Sequence, residues 1–217
     1  SGKIENEAVT LHDTREIFES GSVVNYTGDL RTLFEIKNQK ECFDYIIQKI
    51  LKKEEISPGF ILELHRTLMQ GCYDEIRYQK GERPGEFKKH DYVTGDGIGA
   101  YPEDVEQEVK DLLDEIKEAE GKDVLTITAY LHLRFEEIHP FADGNGRVGR
   151  TLINYYLMTH DYPPIVLYHE DKKTYYLSLA VYDKTGKIDG FVEFLKEQMV
   201  KTWDRKKRHK IKLSMFL

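Results

Sequence analysis

The sequence predicts a mainly α, single-domain protein with one short β-hairpin. Three observations support this fold class. Apolar residues recur at helical spacing along most of the 217 residues. Glycines interrupt that spacing in residues 81–100, as is typical of tight turns between short strands. No Gly-, Ser- or Pro-rich linker divides the chain, so its helices are expected to share one compact unit.

The first two predicted helices follow each other directly. Residues 38–54 carry apolar side chains on one face, which predicts an amphipathic helix. Ser57 and Pro58 end it and begin the next, because serine is a favoured N-cap and proline fits the first helical position. Apolar positions then continue to Gly71, where the second helix is expected to stop.

Further helices are predicted by the same periodicity, and the exception is the hairpin. The helical segments are residues 102–120, 123–138, 147–160, 171–183 and 188 to about 208. Between the second and third helices, glycines punctuate Phe87, Tyr92 and Val93. This pattern is typical of a short β-hairpin or flap.

Charge and composition restrict the classes of partner. The chain has 32 Lys and Arg against 39 Asp and Glu, a net charge of −7, so no overall positive field draws it to nucleic acid or anionic lipid. The basic run at 205–210 is either a nucleic-acid arm or the solvated end of the last helix. No apolar run approaches the roughly 20 residues of a membrane span, and no signal pattern opens the chain. Because the chain has only two cysteines, Cys42 and Cys72, the sequence predicts a protein of a reducing compartment, the cytoplasm.

Residues 139–150, HPFADGNGRVGR, concentrate groups suited to anion chemistry. Gly144, Asn145 and Gly146 can adopt positive φ, so that their backbone N–H groups converge on phosphate oxygens at a helix start. Arg147 and Arg150 follow three residues apart, hence on one face of that helix, and guanidinium groups bind phosphate in pairs of charge-assisted hydrogen bonds. These groups predict a phosphate site.

Two further residues of the segment are suited to catalysis. Asp143 offers a hard oxygen ligand for Mg²⁺, which binds proteins through one or two carboxylates plus substrate phosphates. His139, with an ordinary pKa of about 6.5, can accept a proton from a hydroxyl at neutral pH. A plain polar turn is the alternative interpretation of Asp-Gly-Asn-Gly. Such a turn requires neither the upstream histidine nor the two arginines.

The segment resembles the signature H-P-F-x-D-G-N-G-R-x-x-R of the Fic domain at every specified position. The resemblance implies a mainly helical Fic-type domain that transfers AMP from ATP to a Ser, Thr or Tyr hydroxyl of a protein, itself included. It implies His139 as general base and Asp143 as ligand of Mg²⁺, with Mn²⁺ as an alternative. The implied nucleotide contacts are Gly144, Asn145, Gly146 and Arg147, with Arg150 on the γ-phosphate.

The resemblance continues on both sides of the signature. Residues 85–105 are similar to the family's flap, a hairpin over the nucleotide, which places Tyr92, Val93, Thr94 and Gly95 above it. Downstream, Tyr175 and Tyr176 resemble the tyrosines of the adenine and ribose pocket. Their alternative interpretation is core packing of a helix. Asp183 stands where relatives often have asparagine.

The N-terminal hexapeptide Ser1–Asn6 resembles the family's inhibitory pattern [S/T]-x-x-x-E-[G/N]. The implied inhibition is competition, in which Glu5 pairs with Arg150 and occupies the donors meant for the γ-phosphate. Ser1 would hold this segment by a hydrogen bond, and Asn6 completes the pattern.

The predicted organisation is an N-terminal inhibitory and flanking segment (1–37), a Fic core (38–200) and a C-terminal helix end or basic tail (201–217). Two alternatives to AMP transfer remain: removal of AMP from a modified protein, and a non-catalytic module of the toxin–antitoxin kind. The expected partners are ATP, a protein with an accessible hydroxyl and a second copy of the chain, without nucleic acid or membrane.

Overall fold

A computed structural model describes residues 11–20, 26, 28–92 and 99–214, and this part of the chain is mainly helical. The α-helices in chain order are α1 (Leu11–Ser20), α2 (Leu30–Leu51), α3 (Pro58–Met69), α4 (Glu75–Gln79), α5 (Val105–Glu118), α6 (Val124–Ile138), α7 (Asn145–Thr159), α8 (Lys172–Thr185) and α9 (Asp189–Ser214). A 3₁₀ turn at His169–Asp171 precedes α8. The predicted helices are confirmed, whereas α1 and α4 were not predicted.

Side-chain caps explain where several helices begin. The Ser57 hydroxyl accepts a hydrogen bond from the Phe60 N–H at 3.1 Å, with Pro58 in the first turn, which confirms the predicted start of α3. Asp29 caps α2 in the same way through Thr32 N–H at 3.3 Å. Because this cap lies upstream, α2 begins at residue 30 rather than at the predicted residue 38.

Helices α6 and α7 form the centre of the molecule because each packs apolar side chains on two sides. Ile127 and Leu131 of α6 join a cluster with α2, α3 and α5, whereas Ala129 and Leu133 join one with α8 and α9. A helix buried on both sides carries few polar residues, and residues 124–133 contain no Asp, Glu, Lys or Arg. The α6–α7 connection is anchored in the first cluster by Phe141 and Ala142.

The predicted β-hairpin at residues 81–100 is wrong, because the described part of that segment contains no strand. The described parts on the two sides of this segment, residues 81–92 and 99–100, are called its limbs here, and each limb binds the end of α6 or the connection after it. Lys88 N–H donates to the Pro140 carbonyl at 2.9 Å, and Ala100 N–H donates to the Ile138 carbonyl at 3.0 Å. A backbone N–H that donates to this connection cannot also donate to the partner strand of a hairpin.

The long helix α9 closes the second cluster with Phe191, Phe194 and Leu195. Its side chains beyond residue 204, including the basic run, lie outside the described residues. Within the described part of the chain, no helix combines the length and the apolar character that crossing a membrane requires.

Candidate active site

His139 caps α6 in a left-handed conformation. Its backbone has φ 51° and ψ 60°, and its N–H donates to the Phe135 carbonyl at 3.0 Å. A non-glycine residue in this region is uncommon, and such residues cluster at functional sites. The residue is half-buried, so part of it is open to solvent. It can therefore meet a substrate hydroxyl.

Gly99 packs directly beneath His139. A Cβ at Gly99 would lie 2.8 Å from the Ile138 carbonyl oxygen and 2.9 Å from His139 Cβ. Gly99 also has φ +68°, which disfavours other residues. The limb that ends at Ala100 can approach the histidine this closely only because residue 99 is glycine.

Of the three residues predicted to form a phosphate cradle by positive φ, Gly144, Asn145 and Gly146, only Gly144 has a positive φ. Gly144 is the N-cap of α7 with φ 88°, and a Cβ there would lie 2.5 Å from Sδ of Met69. The helix begins at Asn145, so Gly146 and Arg147 lie in its first turn, where backbone N–H groups have no intrahelical acceptor. The arrangement is suited to an anion.

Asn145 uses its side chain to fix the loop. Phe141 N–H donates to Asn145 Oδ1 at 2.9 Å, and Asn145 Nδ2 donates to the Phe141 carbonyl at 2.8 Å. The predicted contact of this residue with phosphate therefore falls to its backbone N–H.

Three arginines surround the Asp143 carboxylate. Arg31 Nη2 donates to Oδ2 at 2.7 Å, Arg77 lies 3.8 Å from the same oxygen, and Arg147 Nη2 lies 3.5 Å from Oδ1. Burial acts to raise the pKa of Asp143, but the charges of Arg147 and Arg31 outweigh it and lower this pKa below its usual value. Asp143 is thus held ionised as a metal ligand must be.

Glu35 is the second acidic residue of this cluster. Its Oε1 lies 3.2 Å from Arg147 Nη1 and 3.1 Å from Arg31 Nε. Sequence reasoning missed Glu35, Arg31 and Arg77. For Glu35 and Arg31 the sequence did contain a signal. Asp29 is a favoured N-cap, and a helix that begins after it places these two residues one turn apart.

Arg150 turns to a different environment from Arg147. Only 4% of it is exposed, and its guanidinium carbon lies 5.8 Å from the ring centre of Tyr175. Tyr175 is buried and its hydroxyl lies 2.8 Å from His132 Nε2. Tyr175 therefore belongs to the second apolar cluster beneath Arg150, whereas Tyr176 is 43% exposed beside it.

Tyr92 is half-buried, and its hydroxyl donates to Glu82 Oε1 at 3.1 Å. Burial and the Glu82 charge raise the pKa of Tyr92 to about 12. The other predicted flap residues, Val93, Thr94 and Gly95, lie outside the described residues, as do Ser1, Glu5 and Asn6.

His65 of α3 is a further residue that sequence reasoning missed. It is fully buried, its ring stacks on Phe141 with centroids 3.7 Å apart, and its Nε2 lies 3.0 Å from the Asp143 carbonyl oxygen. Burial lowers the pKa of His65 to about 4, so the ring is neutral at physiological pH. The only sign of its role in the sequence was that His65 occupies one of the apolar positions of α3.

The residues fit a divalent cation that arrives with phosphate. Among the described residues there is no group of three or more His, Cys, Asp or Glu side chains able to form a complete cage. Asp143 instead offers one carboxylate beside an anion-binding helix start. One or two carboxylates with substrate phosphates are what Mg²⁺ ordinarily uses.

Comparison with known proteins identifies similar chains. The model of the Fic/DOC family matches residues 55–157. A Drosophila persimilis protein named "Protein adenylyltransferase Fic" is 31% identical over 204 residues, which are 93% of this chain and 38% of that protein. The chain therefore spans less than half the length of this curated relative.

Solved structures have the same fold. A Fic domain containing signaling protein from Bacteroides thetaiotaomicron has a TM-score of 0.79 at 27% identity, covering 92% of this chain and 80% of that one. Fic-1 from C. elegans has a TM-score of 0.81 at 29% identity, covering 97% of this chain and 61% of that one. From the His139–Arg150 signature, its position between α6 and α7 and these matches together, we conclude that the chain belongs to the Fic/DOC family.

Proposed function

We propose that this chain is a protein adenylyltransferase, which transfers AMP from ATP to a hydroxyl group of a protein. Relatives that carry this name are 31% identical over most of the chain. The chain covers only 38% of the D. persimilis relative and 37% of the C. elegans relative, so their activity is applied here as a proposal.

The position of His139 carries the proposal. His139 is flanked by Ile138 and Pro140. The carbonyls of these two residues accept hydrogen bonds from the two limbs of residues 81–100. Helix α7, whose N-terminal N–H groups are suited to phosphate, begins only a few residues later, at Asn145. A hydroxyl placed between the limbs and the helix start would meet the half-buried imidazole and the nucleotide together.

The transfer requires one proton acceptor and one leaving group. The target hydroxyl oxygen attacks the α-phosphorus of ATP, and His139 accepts the hydroxyl proton as the new P–O bond forms. The bond between the α-phosphorus and the bridging oxygen breaks, so that pyrophosphate leaves with its electron pair. The products are the AMP-modified side chain and pyrophosphate.

The remaining residues of the motif hold the triphosphate. The α7 N-terminus and the Arg147 guanidinium supply positive charge for the phosphate oxygens, and Arg150 is assigned to the γ-phosphate. Asp143 would hold Mg²⁺, which when bound neutralises phosphate charge and orients the reacting group. We also propose that Glu5 restrains the reaction through Arg150.

Replacement of His139 tests the function. His139→Ala should lower AMP transfer by about 10²–10⁴-fold, because a general base is lost, while binding of a non-hydrolysable ATP analogue is retained. Intact-mass spectrometry after incubation with ATP and Mg²⁺ measures the AMP added to the chain. The assay is run on the native sequence and in a Glu5→Gly background, in case the N-terminal segment restrains transfer.

A matched control is available at the other end of α7. His160 is also a half-buried histidine at a helix C-terminus, bound to its own helix through the Tyr156 carbonyl at 2.8 Å. His160→Ala should leave AMP transfer unchanged. Equal transfer by the His139→Ala chain and its parent would overturn the assignment, and no transfer in either background would overturn the proposed function.

A further inference from the structure

His65 is a polar residue at the centre of an apolar helix face. Its neighbours one turn away on α3, Ile61 and Leu68, are core residues of the first cluster. Like them it is buried, with 0% of its surface exposed. A buried polar group costs free energy unless its hydrogen bonds are made, so its bonding partners explain its presence.

Both ring nitrogens of His65 have a backbone partner. Gly85 N–H donates to Nδ1 at 2.8 Å, and Nε2 lies 3.0 Å from the Asp143 carbonyl oxygen. A nitrogen that accepts a hydrogen bond carries no proton, so the single proton of the neutral ring lies on Nε2. His65 therefore donates to Asp143 and accepts from Gly85.

These two bonds join the parts of the site that must act together. Asp143 is the residue before the Gly144 N-cap of α7, whereas Gly85 begins the segment that continues through Lys88 to Tyr92. Stacking of the ring on Phe141, at 3.7 Å and an interplanar angle of 1°, fixes a third point of the motif loop. Asn145 binds the backbone N–H and carbonyl of the same Phe141.

We propose that His65 is a positioning residue for AMP transfer, whose Nε2–H fixes the Asp143 backbone and with it the direction of the metal-binding carboxylate. This inference rests on the proposed function. The imidazole acts from behind the motif loop, out of contact with substrate. Removing its bond to Asp143 should loosen the carboxylate and the turn before α7 while leaving the other binding groups in place.

Two amide substitutions separate the two bonds. An asparagine amide reaches as far as the histidine Nδ1, so His65→Asn keeps an acceptor for Gly85 and loses the donor to Asp143. A glutamine amide reaches as far as Nε2, so His65→Gln restores that donor. Groups that orient metal ligands typically account for about 10- to 100-fold in metal affinity or activity. We expect His65→Asn to lose about tenfold or more in each, and His65→Gln to recover most of both.

The measurements include one that needs no turnover. Electron paramagnetic resonance gives the Mn²⁺ affinity in the presence of a non-hydrolysable ATP analogue, and initial rates give kcat and KM for ATP. We expect kcat and Mn²⁺ affinity to fall together in His65→Asn, with KM for ATP changed less. The control is Ile61→Ala, which creates a cavity on the same face of α3 without removing a bond to the motif.

Several outcomes would overturn the proposal. It fails if His65→Asn has the Mn²⁺ affinity of the parent, if His65→Gln recovers none of the loss, or if Ile61→Ala loses as much of this affinity as His65→Asn. Should the asparagine variant not fold, ¹⁵N NMR of the imidazole in the parent chain decides the matter. A proton on Nε2 supports the proposal and a proton on Nδ1 contradicts it. If the parent transfers no AMP, the proposed function fails, whereas the Mn²⁺ and NMR results still test His65.

Discussion

The Asp143 carboxylate and Arg31 form the closest ion pair between α2 and the motif, at 2.7 Å. Their separation by 112 positions in the chain is the reason that sequence reasoning found one and missed the other. Arg31 donates to Oδ2, one of the two oxygens that Asp143 can offer to a cation. Arg31 and a metal ion therefore compete for this carboxylate.

Replacing Arg31 tests this competition. Arg31→Met should increase Mn²⁺ affinity by about three- to tenfold in the absence of nucleotide, because a charge-assisted hydrogen bond to a partly exposed group is modest in strength. Titration followed by electron paramagnetic resonance measures the change. Lys37→Met removes a charge from the same helix, where Lys37 pairs with Glu41 at 3.5 Å, and should have little effect. A gain that persists when Asp143→Asn is added would show that the metal binds elsewhere.

Individual residues of the motif were predictable because they are adjacent in sequence. His139, Asp143 and Arg147 lie within one loop and one helical turn, so their spacing alone brought them together. The supporting residues come from other helices, as Glu35 and His65 do, and their contacts depend on how the helices pack. Asn145 shows a second limit, since its sequence position did not reveal that its amide bonds the Phe141 backbone.

At the level of elements, helices were more predictable than the segment between α4 and α5. Ser57 and Asp123 are local caps, each bonded to an N–H three residues on, and local signals of this kind are visible in sequence. Gly81 and Gly85 correctly indicated turns but did not reveal the partner of the backbone. That partner is the α6–α7 connection, which lies far along the chain.

The limb ending at Ala100 should therefore control the position of His139. Gly99→Ala should reduce AMP transfer by about tenfold or more, because the new Cβ would push on His139 Cβ and on the Ile138 carbonyl oxygen, and small misplacements of a catalytic group are costly. Rate measurements with thermal unfolding separate this effect from general destabilisation.

Gly186→Ala is the matched control for this prediction. Gly186 has φ +67°, against +68° for Gly99, but a Cβ added at Gly186 would meet no other part of the described chain within 4 Å. Both substitutions carry the same left-handed strain of about 1–2 kcal/mol. Equal rates in the two variants would mean that the contact with His139 has no effect on transfer.

At the level of the whole molecule, the two apolar clusters meet at α6 and α7 and so set the two arginines apart. Arg147 lies with Asp143 and Glu35 on the side of α2, whereas Arg150 lies over Tyr175 on the side of α8. The sequence predicted that both arginines lie on one helix face, but it did not predict that their surroundings differ. Regulation that acts on Arg150 can consequently leave the Asp143 cluster unchanged.

The last prediction concerns Glu5, which lies outside the described residues. If Glu5 competes with the γ-phosphate for Arg150, Glu5→Gly should raise AMP incorporation, including self-modification. A charge-assisted hydrogen bond contributes roughly 1.5–3 kcal/mol, so productively bound ATP should increase on the order of tenfold to a hundredfold. Intact-mass spectrometry at saturating ATP and Mg²⁺ measures the increase.

Arg150→Ala distinguishes this restraint from simple loosening of the N-terminus. It removes the partner of Glu5 and the γ-phosphate contact together, so transfer should fall, and Glu5→Gly added to it should restore nothing. If Glu5→Gly instead raises transfer equally with and without Arg150, the glutamate acts through another group. An unchanged rate in Glu5→Gly alone would mean that Glu5 does not restrain the chain. Transfer that rises in Glu5→Gly but falls in Arg150→Ala and in the double variant would identify Arg150, buried over Tyr175 and apart from the Asp143 cluster, as the point at which the N-terminal segment acts.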